Sequence, residues 1–285
     1  MLAANFTEPH GDLPVSQSPT FETIRLSSQG HVAVLTLNRP QRLNAAPPAM
    51  FDEIQVALRA LPSLGARALL ITGEGRAFCS GADLQGRADP GAQPPTQTRG
   101  TATHRSLTES YGPTMLALSK LAVPVVCAVN GVAAGIGCSL ALAGDFTLAA
   151  RSAYFLQAFV NIGLVPDGGS TWMLARLVGK ARAAEMMMLG ERIPAEQAQA
   201  WGLIHRAVDD AELMPQAMAL AERLANGPTV ALGLMRQGLA RALSQSYDEA
   251  LATEALHQSI CANSQDSAEG VKAFIERRKA EFKGA

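Results

Sequence analysis

The chain has 285 residues, enough for one large domain or two small ones around a sizeable core. Charged residues make up 17% and hydrophobic residues 48%, a balance that excludes a disordered chain. The formal net charge of −1, with no long basic run, argues against nucleic acid or an anionic membrane as the main partner. Residues 1–20, "MLAANFTEPHGDLPVSQSPT", lack a basic start and a sustained apolar run, so they read as a loose arm and not a signal peptide. "HVAVLTLN" (31–38) is a strand ended by Arg39-Pro40. "PAMFDEIQVALRAL" (48–61) sets Phe51, Ile54, Leu58 and Leu61 on one helical face. "ARALLITGEG" (66–75) is a short buried strand. Residues 85–103 hold almost nothing apolar and are expected to form a mobile loop, open to use as a lid. A helix over 106–121 leads into the strand "PVVCAVN" (124–130), and "DFTLAA" (145–150) and "SAYFLQAF" (152–159) are further strands. From Asp167 onward helical patterns dominate, and the last quarter is helix alone. Strands alternating with helices predict a parallel sheet with crossover helices, an α/β fold.

Cys79, Cys127, Cys138 and Cys261 show no CxxC spacing and are expected to be reduced thiols in a cytoplasmic protein. His10, His31, His104, His205 and His257 stand singly, so no metal site is expected. Gly and Pro break the longest apolar run, so no membrane span is expected. "AAEMMMLG" (183–190), Trp172 and Trp201 read as core.

"AVNGVAAGIGCSLALAGD" (128–145) joins a strand to a helix through a glycine-rich turn, the kind that brings backbone N–H groups to negative charge. A dinucleotide site would put this turn after the first strand, an acid about twenty residues on, and a Tyr-x-x-x-Lys beyond. None of the three is met. Tight packing between strand and helix accounts for the glycines equally well, as judged from this segment alone.

Four segments together narrow the choice. "LNRPQRLNA" (37–45), "GRAFCSGADL" (75–84), "PVVCAVNGVAAGIGCSLALAGD" (124–145) and "LVPDGGSTWML" (164–174) stand in the order and spacing of the enoyl-CoA hydratase/isomerase, or crotonase, superfamily. The chain resembles that family from about residue 21 to its C-terminus. The resemblance implies a crotonase-type spiral of repeated ββα units, with a catalytic core over 21–210 and a helical oligomerisation region over 211–285. It implies a homotrimer or a dimer of trimers, an acyl-CoA thioester as substrate, and no cofactor beyond the coenzyme A that the substrate carries. By motif position, the N–H groups of Ala82 and Ile136 would form an oxyanion hole for the thioester oxygen, helped by the helix that starts at Ile136. Arg42 matches a basic position that meets CoA phosphates. Ala82, Asp83, Leu84 and Gln85 match the loop that holds adenine and pantetheine. Phe282 and Lys283 match a tail that approaches CoA, often from the next subunit.

Family likeness leaves the reaction open. Hydratases of the family carry one glutamate in a GGGCE segment and another in a PE pair, and adding water uses both. This chain has Ser139 and Phe159 there. The nearby acid is Asp167, where isomerase branches carry a carboxylate; a turn aspartate capping the next helix is the plainer account. The resemblance favours an isomerase that shifts a 3-enoyl-CoA to a 2-enoyl-CoA, or opens a ring-1,2-epoxyphenylacetyl-CoA, with Asp167 shuttling the proton. A dry pocket with Phe159 would suppress water attack and raise the pKa of Asp167. An enoyl-CoA hydratase or other CoA lyase is one alternative, and a non-catalytic acyl-CoA binder is another.

Overall fold

The computed structural model describes residues 20–84 and 98–285. The expected N-terminal arm through residue 19, Gln85 and the polar stretch up to residue 97 therefore lie outside the described residues.

Two sheets form among the described residues. Ile24–Gln29 (β1) and Val32–Leu37 (β2) pair antiparallel. Ala68–Gly73 (β3), Val125–Val129 (β5), Phe146–Ala150 (β7) and Arg206–Val208 (β10) then extend β2 in parallel, in the order β1-β2-β3-β5-β7-β10. β3 and β5 are buried at every position, as their continuous aliphatic runs require of strands covered on both faces. Ala77–Cys79 (β4), Val132–Ala134 (β6), Tyr154–Leu156 (β8) and Arg192–Pro194 (β9) make a smaller sheet in the order β4-β6-β8-β9. Each long strand β3, β5 and β7 is followed by one short strand of the second sheet, which is the expected ββα spiral.

Pro48–Ala60 (α1) buries Phe51, Ile54 and Leu58 on one face, and Leu61 just beyond it is 2% exposed. Ile136–Leu142 (α4) is buried along its whole length. Two expectations need correction. The end of the polar stretch 85–103 is not a loop. Arg99–Ser106 (α2) is a helix whose N-cap, Thr98, accepts from Thr101 N at 3.1 Å. A π-helical turn, Leu107–Tyr111, carries α2 into Gly112–Ser119 (α3). The cap and the following helix hold α2 without an apolar face of its own. The glycine-rich turn around residue 132 holds a strand, β6, and the motif over 75–84 holds another, β4; at three residues each is too short to show alternation.

Ser170–Leu177 (α5), Gly179–Leu189 (α6) and Ala195–Ala200 (α7) follow β8. Leu213–Ala225 (α8) lays Leu213, Ala217, Ala221 and Ala225 on the sheet, a four-residue spacing that makes one stripe. Thr229–Ala242 (α9), Tyr247–Ala262 (α10) and Gln265–Glu276 (α11) complete the helical end. Among the described residues no helix is long and apolar enough to cross a membrane.

Candidate active site

The "LNRPQRLNA" segment builds the first wall of the site. Asn44 is fully buried in a left-handed conformation, φ 53°. Its carboxamide oxygen accepts from Arg39 N at 2.8 Å, and its NH2 group donates to Ala77 O at 2.8 Å and Glu74 O at 3.0 Å. Asn is among the few residues that take this backbone state at low cost. Arg39 pairs with Asp83 at 2.8 Å and also donates to Ala45 O. The chain so held presents Ala46 as a lone parallel bridge to Ala82. Gly81 O accepts from Ala46 N at 2.8 Å, and Asp83 N donates to Ala46 O at 3.1 Å. In a trans peptide the C=O and the next N–H point opposite ways. Since Gly81 O faces Ala46, the Ala82 N–H faces the other side of the loop, and Ala82 itself lines a pocket.

The same reasoning places Ile136. Gly135 O accepts the first helical bond of α4, from Ser139 N at 3.1 Å, so it points down the helix. The Ile136 N–H of that peptide points out of the helix start. A Cβ at Gly137 would sit 2.4 Å from Cys79 O, so α4 packs directly on β4 and brings Ile136 beside the Ala82 loop. The glycine-rich turn therefore packs tightly between strand and helix, and it leads into α4 at Ile136.

One narrow pocket of about 100 Å3 is lined by Ala82, Leu84, Tyr111, Ile136, Phe159 and Asp167. Asp167 also lines a wider cavity of about 840 Å3, walled by Met115, Trp172, Met173 and Leu239. The acid thus stands where the narrow and wide spaces meet. It is half-buried, and its Oδ1 is shut off from solvent. The cap position of α5 is Gly169, so Asp167 stands two residues before the place a capping aspartate would hold.

Ser139 and Phe159 differ in what they do. Phe159 faces the pocket, its ring 3.7 Å from where a Gly135 Cβ would be. Ser139 is fully buried, and its hydroxyl bonds to Asp167 O and to Ser170 Oγ. Cys79 and Cys138 lie beneath the two loops, but burial pushes their thiols up to about 11 and about 12, so neither is a nucleophile near neutral pH.

The remaining predicted residues divide. Arg42 is exposed, in the turn Pro40–Arg42, and its carbonyl accepts from the hydroxyl of pocket-lining Ser80 at 3.4 Å. Asp83 spends its carboxylate on Arg39. Phe282 and Lys283 are not brought to the pocket of their own chain. Arg67, just before β3, donates to Phe282 O at 3.1 Å, and Asp266 accepts from Lys283 N at 2.6 Å. That is the opposite end of β3 from the pocket, about 20 Å of strand away. Arg39, Asn44 and Tyr111 support the wall of the pocket structurally, and sequence reasoning assigned them no role. The first two lie inside a quoted motif. Tyr111 carries no motif, yet its hydroxyl donates to Ala46 O at 2.9 Å and so steadies the Ala82 loop.

Comparison with known proteins agrees with this architecture. The family model described as enoyl-CoA hydratase/isomerase matches residues 27–285. The chain is 44% identical over 255 residues to the 1,2-epoxyphenylacetyl-CoA isomerase of Escherichia coli (strain K12), covering 89% of this chain and 95% of that one. It is 43% identical to a protein of Rhodobacter capsulatus named "Probable enoyl-CoA hydratase", covering 93% and 99%. Among solved structures, an enoyl-CoA hydratase from Bacillus anthracis superposes with a TM-score of 0.85 at 30% identity, covering 93% of this chain and all of that one. Such matches run through both sheets and the helical end, and the chain belongs to the enoyl-CoA hydratase/isomerase family, with the crotonase fold.

Proposed function

We propose that this family member is an acyl-CoA isomerase, moving the double bond of a 3-enoyl-CoA to the 2-position or opening a ring-1,2-epoxyphenylacetyl-CoA. The observation that carries the reading is one pocket holding Ala82, Ile136 and Asp167, with Ser139 and Phe159 where the family's hydratases carry glutamates. The Asp167 carboxylate takes a proton from C2, and the electron pair moves into the thioester, leaving an enolate. The N–H groups of Ala82 and Ile136 hold the enolate oxygen, and each such donor is worth about 3 kcal/mol when judged by removal. The same carboxyl then returns its proton at C4, which regenerates the aspartate and gives the conjugated product. One shuttling acid suffices, and the Phe159 ring keeps water from the enolate. In the epoxide reaction the same donors assist ring opening to an oxepin. The 44% identity to an epoxyphenylacetyl-CoA isomerase supports this reading. The protein needs no metal or redox cofactor for these steps. The assembly is a homotrimer or a dimer of trimers in the cytoplasm.

The names of other relatives favour a second reading, hydration of a 2-enoyl-CoA. The two separate cleanly by experiment. Asp167→Asn is expected to keep acyl-CoA affinity and to lose about 10²- to 10⁴-fold of 3-hexenoyl-CoA isomerisation, followed by absorbance of the conjugated product. Full turnover by that variant removes Asp167 from the mechanism. Robust hydration of crotonyl-CoA by the unaltered protein sinks the isomerase assignment, and acyl-CoA binding without any turnover marks a binder.

A further inference from the structure

Behind the Asp167 turn runs a buried line of polar groups. Gln157, Ser170 and Ser139 are all fully buried. Gln157 Nε2 donates to Ser170 Oγ at 3.1 Å, Ser170 and Ser139 share a bond of 2.6 Å, and Ser139 Oγ donates to the main-chain oxygen of Asp167 at 3.0 Å. The donor inventory sets the direction. An amide NH2 only donates, so Ser170 Oγ accepts from Gln157; with the one proton of Ser139 given to Asp167 O, the bond between the two hydroxyls is donated by Ser170. The alternative acceptor, Gly135 O, is farther at 3.3 Å.

Packing adds an independent constraint. A Cβ at Gly168 would lie 2.4 Å from Ile136 Cδ1 and 2.8 Å from Ser139 Cβ, so the turn lies flat on the first turn of α4. Gln157 Oε1 has no hydrogen-bond partner among the described residues.

From these observations we infer that Ser139, Ser170 and Gln157 are positioning residues for the isomerisation. They hold the Asp167 main chain against α4, so that the carboxyl and the Ile136 amide keep one fixed separation. Ser139 is the joint of the device, because it belongs to α4 and bonds to the acid's own carbonyl. The inference rests on the reading of Asp167 as the proton shuttle.

The test is a double-mutant cycle on the full-length protein, with 3-hexenoyl-CoA as substrate. Ser139→Ala is expected to lower kcat about 10- to 100-fold with KM within about twofold, since small misplacement of a reacting group costs that much. Ser139→Thr keeps the hydroxyl and is expected to restore most of the rate. In the Asp167→Asn background, Ser139→Ala is expected to cost nothing further, because its effect passes through the missing acid. An equal loss in both backgrounds overturns the inference, as does an unchanged kcat in Ser139→Ala. Should Ser139→Ala fail to fold, Ser170→Ala carries the same cycle, with an expected loss of about 3- to 10-fold. Wild-type rates in Asp167→Asn alone would instead strike at the shuttle reading, which keeps the two failures apart.

Discussion

Cys79, Cys127 and Cys138 are fully buried, whereas Cys261 on α10 is partly open. Burial raises the three inner thiols to about 11, about 12 and about 12 against an ordinary value of 9.0, since a thiolate there would be stripped of water. Native protein at pH 8 is therefore expected to give one rapidly reacting thiol with Ellman's reagent and four in guanidinium. Two or more rapid thiols in the native state would contradict the burial. The linkage has a definite sign. An unfolded chain releases these protons near pH 9, while the folded one keeps them to about 11 or higher, so between those values the native state binds more protons. Their contribution to stability is whole below pH 9 and drains away as pH rises through that window. Urea midpoints measured at pH 8 and at pH 10.5 are expected to fall. At this scale the motifs named Ala82, Ile136 and Asp167, because a backbone donor and a turn acid sit at fixed places in a motif. Tyr111 stayed hidden because its role comes from a contact 65 residues away along the chain.

Elements were legible in proportion to their periodicity. α1 declared itself through Phe51, Ile54 and Leu58, and β3 and β5 through unbroken aliphatic runs. β4, β6 and β9 span three residues each, too few for a period, and they are defined by pairing across the chain. β1 alternates poorly because it is an edge strand whose burial is confined chiefly to Ile24. α2 has no buried residue and depends on its cap and on the helix that continues it. The site hangs on one of the elements the sequence could not show, since α4 reaches the Ala82 loop by resting on β4. Gly137→Ala tests that dependence. The added methyl meets the Cys79 carbonyl, main chain that cannot swing aside, so α4 must lift from β4. Overpacking of this kind costs about 1–3 kcal/mol. The variant is expected to melt lower and to lose isomerase activity in the folded fraction, through the altered spacing of the two amides. A lowered melting point with kcat intact would show that α4 moves without carrying Ile136 away.

Over the whole molecule, the helical end differs from the core in what it leaves uncovered. α8 buries its small-residue stripe on the sheet, and α9 is tied to the core by Arg236. That guanidinium is 8% exposed and pairs with Asp145 at 2.5 Å while donating to Leu118 O at 2.8 Å and Leu121 O at 3.1 Å. The tail is tied down as well, with Asp266 accepting from Gly284 N at 2.8 Å. These anchors fix α9 and α11, so apolar side chains left outside cannot roll inward. α11 presents Val271, Phe274 and Ile275 on one face at i, i+3 and i+4, with Phe274 85% exposed in the single chain. A contiguous apolar face of this sort marks a surface that another protein covers. Together with the proposed trimer, this gives an expectation for light scattering on a sizing column: three or six times the chain mass of 29.9 kDa. Phe274→Glu puts a charge in the middle of that face, where burial without a partner is costly, and leaves the pocket untouched. Its expected outcome is a shift toward the single-chain mass, with the fold preserved by circular dichroism. Wild-type protein eluting at 29.9 kDa across micromolar concentrations would rule out the proposed assembly; a full-size Phe274→Glu assembly would move the contact to another face of the helical end.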